Sequence, residues 1–224
     1  VLYAGTGIAL EYGRRGDVDV ITVHSKKREE EFISQGFGVE RVPFAYNYFL
    51  IVGPKDDPAG LKEMTPEEAF TRLYEYHEAS FISRGDDSGT HSKEKQIWKK
   101  AGFADFEAVA GSGDWYIEAG RGMGPTLLMA SDKGAYTLCD RGTFLSYRGK
   151  LDLVPIVDKG GSLLNVYSAI VCKPQNENER IPILARKLVD FLISPNIQDL
   201  IGNYGTGTYG VPLFTPCAGS EPIE

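Results

Sequence analysis

The stretch Ala79-Ser80-Phe81-Ile82-Ser83-Arg84-Gly85-Asp86-Asp87-Ser88-Gly89-Thr90-His91 limits the fold more than any other part of the sequence. It joins an apolar strand end to a helix start through a polar, glycine-containing loop. Phe81 and Ile82 suit a strand, and Asp86, Asp87, Ser88 and Thr90 are residue types that cap helix N-termini. From Ser92 the pattern is helical: Lys93, Glu94, Lys95, Lys99 and Lys100 are polar, Ile97, Trp98 and Ala101 can face inward, and Gly102 is a stop. Gly5-Thr6-Gly7, leading into Ile8–Tyr12, repeats the arrangement of a glycine turn opening a helix. Such units belong to layered α/β folds.

A helix opening leaves backbone N–H groups without internal partners and carries about half a positive charge, so it attracts anions. Arg84 adds a permanent charge with a planar fork of donors, and Ser83, Ser88 and Thr90 add hydroxyls. The alternative is an ordinary capped helix in which Arg84 pairs with Asp86 or Asp87.

With 224 residues, 42% of them hydrophobic, the chain can fill one large domain or two lobes. The formal net charge of −7 argues against nucleic acid or an anionic membrane as main partner, and no apolar run approaches a membrane span. The three cysteines, Cys139, Cys172 and Cys217, are widely spaced and show no metal-ligand pattern; one disulfide is allowed.

Along the chain, Val1–Gly7 reads as a strand entering a turn, which places a further strand and helix, with any export signal, upstream. Ile8–Tyr12 followed by Asp17–Val23 gives helix then strand, and the tight order implies a parallel layer. Ser25–Gln35 reads as a helix with Phe32 and Ile33 inward, its Lys26-Lys27-Arg28 and Glu29-Glu30-Glu31 on a solvated face. Arg41–Gly53 is a long extended segment, and Thr65-Pro66 opens a helix running to about Glu78. Thr126–Lys133 is a short helix, and Gly134–Phe144 reads as strand, turn and helix start. Leu151–Val157 is again a strand, and Leu163–Cys172 mirrors the earlier extended segment as a second crossover. Arg180–Tyr204 reads as two helices meeting at Ser194-Pro195, and the tail from Gly205 wraps the surface. The divisions are a first lobe over 1–50, a second over 51–162 containing the loop 83–90, and a return strand with C-terminal helices over 163–224.

Catalysis is poorly represented. His24, His77 and His91 have no common context, His91 reads as a surface helix position, Asp86 and Asp87 point apart, and neither glycine stretch is a phosphate loop of the Gly-x-x-x-x-Gly-Lys type. Binding is better represented: two lobes, each offering a helix opening rich in Gly, Ser and Thr, describe a clamshell closing on a small oxyanion.

Several motifs in order now become specific: Gly5-Thr6-Gly7 with Ala9-Leu10, Gly13-Arg14-Arg15-Gly16-Asp17, Val52–Gly60, Ser83–His91, and Gly134–Leu138 with Asp140–Thr143. Over Val1 to about Pro216 the chain resembles the substrate-binding proteins of tungstate ABC importers, the TupA type. The resemblance implies a two-lobed type II periplasmic-binding-protein fold whose first strand and helix are absent here, and a monomeric, non-enzymatic carrier that is periplasmic or otherwise extracytoplasmic. It implies tungstate, or molybdate, as ligand, an ABC permease as partner, and no cofactor, resident metal or nucleic acid. By motif position the ligand-binding residues are Arg84 and Thr90, with Ser83, Ser88 and Gly89 of the same loop and Thr6 and Gly7 of the glycine turn. The family's Thr-Thr-Thr-Ser stretch is not in this chain. Tyr136, Asp140 and Arg141 match family positions as wall or scaffold. An oxyanion-sensing regulatory domain and a two-lobed enzyme remain the other readings.

Overall fold

A computed structural model describes residues 1–174 and 183–222. The chain divides into two compact units, one made of Val1–Asn47 with Asn165–Ile223 and the other of Tyr48–Leu164.

In the first unit, α1 (Thr6–Arg15) ends on Gly16 with φ 75°, the left-handed conformation that suits glycine at a helix stop. It is followed by β1 (Val20–Val23), α2 (Lys26–Ser34) and the first part of β2 (Gly38–Pro54). Near the chain's other end come β7 (Leu164–Cys172), α8 (Ile183–Leu192) and α9 (Pro195–Asn203), then α10 (Thr206–Tyr209) and β8 (Thr215–Pro216). Leu10, Ile21, Val23, Phe32, Ile170 and Cys172 form one small core.

Three expectations are corrected here. Val1–Gly5 is not a strand: Leu2 and Tyr3 are exposed and no described strand pairs with them. The layer is not parallel at β1, which pairs antiparallel with β7, Val20 opposite Val171, because its neighbour is the returning crossover strand. The tail does not merely wrap the surface, since β8 pairs antiparallel with β2 through Ala45 and Tyr46. Of the segment read as helix from Arg180, Arg180–Pro182 lie outside the described residues.

The second unit begins within β2 and continues through α3 (Pro66–Glu75), β3 (Phe81–Ser83), α4 (Gly89–Lys100), α5 (Phe106–Ala110) and β4 (Tyr116–Glu118). It ends with α6 (Met123–Lys133), β5 (Tyr136–Asp140), α7 (Arg141–Ser146) and β6 (Leu153–Val157). Thr65 and Glu68 close a capping box at α3 with Pro66 at its first position, and the helix stops at Glu75, short of the expected Glu78. β3 is parallel to both β4 and β5, and it is buried along its length. A strand held on both edges with both faces covered fixes the place where the following loop begins.

Behind that loop, Trp98 of α4 is fully buried among Phe70, Phe103 and Trp115, with ring centroids 4.5, 5.4 and 6.1 Å away. Aromatic groups packed this way lock the height and rotation of α4.

β2 also passes very close to Tyr136. A Cβ at Gly53 would come 2.3 Å from the Tyr136 ring, and the ring has no freedom to yield. Its hydroxyl donates to Asp57 Oδ1 at 2.7 Å and accepts from the Ala59 amide at 3.1 Å. Gly53→Ala is therefore expected to cost about 3 kcal/mol, the upper part of the usual overpacking range, read as a lowered urea midpoint with unchanged slope.

Candidate functional site

β3 delivers Ser83 to the start of the loop, and two left-handed residues then turn the chain into α4. Gly85 has φ 57°, and a Cβ there would lie 2.8 Å from Glu118 Cβ, so glycine is required on both counts. Asp87 has φ 53°, a conformation Asp tolerates better than most residues, and its amide donates to His91 Nδ1 at 3.0 Å. The Asp86 carboxylate accepts from the Ser88 amide at 3.2 Å, and Ser88 is the N-cap, its Oγ accepting from the His91 amide at 3.3 Å. The amides of Gly89 and Thr90 at the helix opening make no hydrogen bond among the described residues.

Arg84 forms an ion pair with Asp86, its side chain only 17% exposed. The guanidinium Nε is enclosed and has no acceptor. Burial alone would raise the Asp86 carboxyl, but hydrogen bonds from Ser88 and the charge of Arg84 outweigh it and hold the group below its ordinary value.

His91 is buried rather than on the surface as the sequence suggested, packed against Phe106 with ring centroids 5.5 Å apart. Because Nδ1 accepts from Asp87, the ring proton is on Nε2, which is enclosed without an acceptor. Burial and the nearby Lys95 charge lower its pKa, against the pull of Asp87, Glu118 and Asp86, so the ring is neutral at pH 7. The loop thus encloses two donor groups, on Arg84 and His91, that have no acceptor. Thr90 is also buried, and its hydroxyl has no partner among the described residues.

Sequence reasoning missed the residue beneath the loop. Glu94, placed among polar helix positions, is 1% exposed. Its carboxylate accepts from Ser83 Oγ at 2.7 Å, from Trp98 Nε1 at 3.4 Å and from the Tyr116 hydroxyl. Burial raises its pKa to about 7 against those three hydrogen bonds, while burial and the Glu94 charge push the Tyr116 phenol well up. The signal was present in the spacing: Glu94 stands three and four residues before Ile97 and Trp98, on the apolar face. Ser83, fully buried, commits its one proton to Glu94 and accepts from the Gly85 amide at 3.2 Å, so it holds the loop rather than presenting a free donor.

Ser83, Arg84, Ser88, Gly89 and Thr90 are thus gathered at one strand–helix junction of the second unit. Thr6 and Gly7 belong to the first, at the opening of α1, where the N-cap Gly5 has no side chain to cap with. Thr6 is buried. Arg28, expected on a solvated face, is half-buried beside this opening, where a Cβ on Gly7 would come 3.0 Å from its Nη2. Tyr136 is scaffold by its hydrogen bonds, and Asp140 caps α7 by accepting from the Thr143 amide at 2.8 Å. Among the described residues no group of His, Cys, Asp or Glu is placed to hold a metal ion, no helix is long and apolar enough to cross a membrane, and all three cysteines are free thiols.

Residues 1–196 match the PBP superfamily domain. The tungstate-binding protein TupA of Peptoclostridium acidaminophilum is 45% identical over 221 residues, covering 97% of this chain and 75% of that protein. Among solved structures, the tungstate-binding protein TupA of Desulfovibrio alaskensis G20 superposes with a TM-score of 0.84 at 38% identity, over 96% of this chain and 85% of that one. The tungstate ABC transporter structure from Geobacter sulfurreducens does so with a TM-score of 0.75 at 46% identity, over 91% and 84%. These relatives are named as binding or transport proteins. The chain belongs to the periplasmic-binding-protein superfamily and, within it, to the TupA family of tungstate-binding proteins.

Proposed function

We propose that the chain is the extracytoplasmic substrate-binding component of an ABC importer, capturing tungstate, with molybdate as lesser ligand, and handing it to the membrane permease. It acts as a monomer and needs no cofactor. The observation that carries this reading is the opening of α4, where unpartnered amides at Gly89 and Thr90, the Thr90 hydroxyl and a half-buried Arg84 with an enclosed, unused Nε–H stand together. A dianion leaves water only if most of its oxygens receive charge-assisted hydrogen bonds, and this cluster supplies them. Arg84, Thr90, Ser88 and Gly89 contact the anion, with Ser83 fixing the loop. The opening of α1, with Thr6 and Gly7, is a second element of the same chemistry in the first unit. The names of the relatives supply the identity of the anion, which these donors do not by themselves distinguish.

Calorimetric titration with tungstate, molybdate, sulfate and phosphate tests the reading. Tungstate is expected to bind tightest with molybdate second. Sulfate affinity equal to that for tungstate rejects the assignment.

A further inference from the structure

The carboxyl beneath the loop has no part in the capture just described, yet it is hydrogen-bonded to the residue that begins the loop. Its Oε2 accepts from Ser83, the residue before Arg84, and Ser83 in turn accepts from the amide of Gly85, the residue after it. Glu94 is therefore one hydrogen bond from the side chain of the residue before the guanidinium and two from the amide of the residue after it.

The local charges run against a dianion. Arg84 is already paired with Asp86, and Asp87 with Lys95 at 3.2 Å. An ionised Glu94 then leaves the base of the loop negative before any ligand arrives. The charged or titratable groups facing Glu94 add no relief: β4 presents Tyr116 and Glu118, and Glu118 opposes its ionisation. β3 presents Ser83, α3 presents Phe70 against Trp98, α5 presents Phe106 against His91, and the Tyr136 hydroxyl on β5 is engaged by Asp57. Bringing two more negative charges close to a buried carboxylate costs least if the carboxyl gives up its own charge.

We propose that Glu94 couples anion binding to proton uptake: when a doubly charged oxyanion occupies the opening of α4, a proton from solvent joins the buried carboxyl that anchors Ser83. The proposal rests on the α4 opening being the anion site. The free carboxyl titrates at about 7, so the proton is available within the physiological range. The sign follows by linkage. The anion raises the carboxyl's pKa further, so affinity rises as pH falls through that value and levels off below it. His91, with its lowered pKa, charges only at more acid pH.

The test is a tungstate titration by calorimetry between about pH 8.5 and 6.0, in two buffers of different ionisation enthalpy at each pH. If the anion raises the carboxyl by about one unit, affinity is expected to increase about sevenfold across this range, with a fraction of a proton taken up per anion near pH 7.5. Glu94→Gln keeps the acceptor for Tyr116 and offers Ser83 an amide donor, as the protonated acid does. It is expected to bind at pH 8.5 as the parent binds at 6.0, with no pH slope. Affinity and proton count that stay flat in the parent protein overturn the inference without any variant, and so does an unchanged slope in Glu94→Gln. In both cases the carrier assignment stands, whereas failure to bind tungstate at any pH overturns the assignment and this inference with it.

Discussion

Replacing Arg84 with alanine is expected to weaken tungstate binding by about 2–4 kcal/mol, roughly 30- to 900-fold, the range for losing a charge-assisted donor from a desolvated anion. Two effects add in this protein. The enclosed Nε–H and the rest of the guanidinium fork are lost, and the Asp86 carboxylate is left without its cation. Arg84→Lys keeps the charge without the planar fork and should fall between the two. The urea midpoint of Arg84→Ala should move little by comparison, since a partly exposed ion pair contributes modestly to folding. Calorimetry on the three proteins measures the binding terms. An unchanged affinity in Arg84→Ala would mean that the arginine only braces the loop through Asp86.

The largest expected loss of stability comes from the first unit. Glu29 is fully buried, its carboxylate accepting from the Ser25 amide and from Arg41 Nε at 2.6 Å, while Arg41 Nη1 reaches Glu221 at 3.1 Å. Arg41 Nη2 is already enclosed without a partner. Glu29→Ala leaves a permanently charged guanidinium in this volume with one remaining, half-exposed carboxylate. The expected cost is about 3–5 kcal/mol, nearer the lower figure because Glu221 remains. Arg41→Ala should cost less, because the partner it abandons can shed its charge. Burial already raises the Glu29 carboxyl against the effect of Arg41, and without Arg41 the group takes a proton. A raised carboxyl disfavours folding once ionised, so the Arg41→Ala protein should be most stable in acid and lose stability as pH rises past the ordinary carboxylate range. Urea unfolding of both variants at two pH values measures these effects. A larger loss in Arg41→Ala than in Glu29→Ala would refute the account.

The features legible in the sequence were those with local causes. The helix opening among Asp86, Asp87, Ser88 and Thr90, the Thr65-Pro66 helix start and the long extended β2 each follow from residues close together in sequence. The buried acids were misread because their partners are distant in sequence: Tyr116 is 22 residues from Glu94, and Arg41 is 12 from Glu29. The partners were unforeseeable, but the burial was not. Glu29 precedes Phe32 and Ile33 by three and four residues, as Glu94 precedes Ile97 and Trp98, so each acid lies on the apolar stripe of its helix. Reading the charge run of α2 as a solvated face, and Glu94 as one of the polar positions of α4, obscured that stripe. The antiparallel pairing of β1 was hidden for a related reason, its neighbour β7 being supplied by the far end of the chain.

The chain path also bears on the order in which the parts can be completed during synthesis. Tyr48–Leu164 is one uninterrupted segment, so the second unit holds everything it needs once residue 164 has been made. The first unit is split, and β1 stays without its partner until Ser168–Val171 emerge. Contacts of such long sequence separation carry the larger loop-closure cost. The arginine-bearing junction can therefore assume its shape while half of its companion is still unmade.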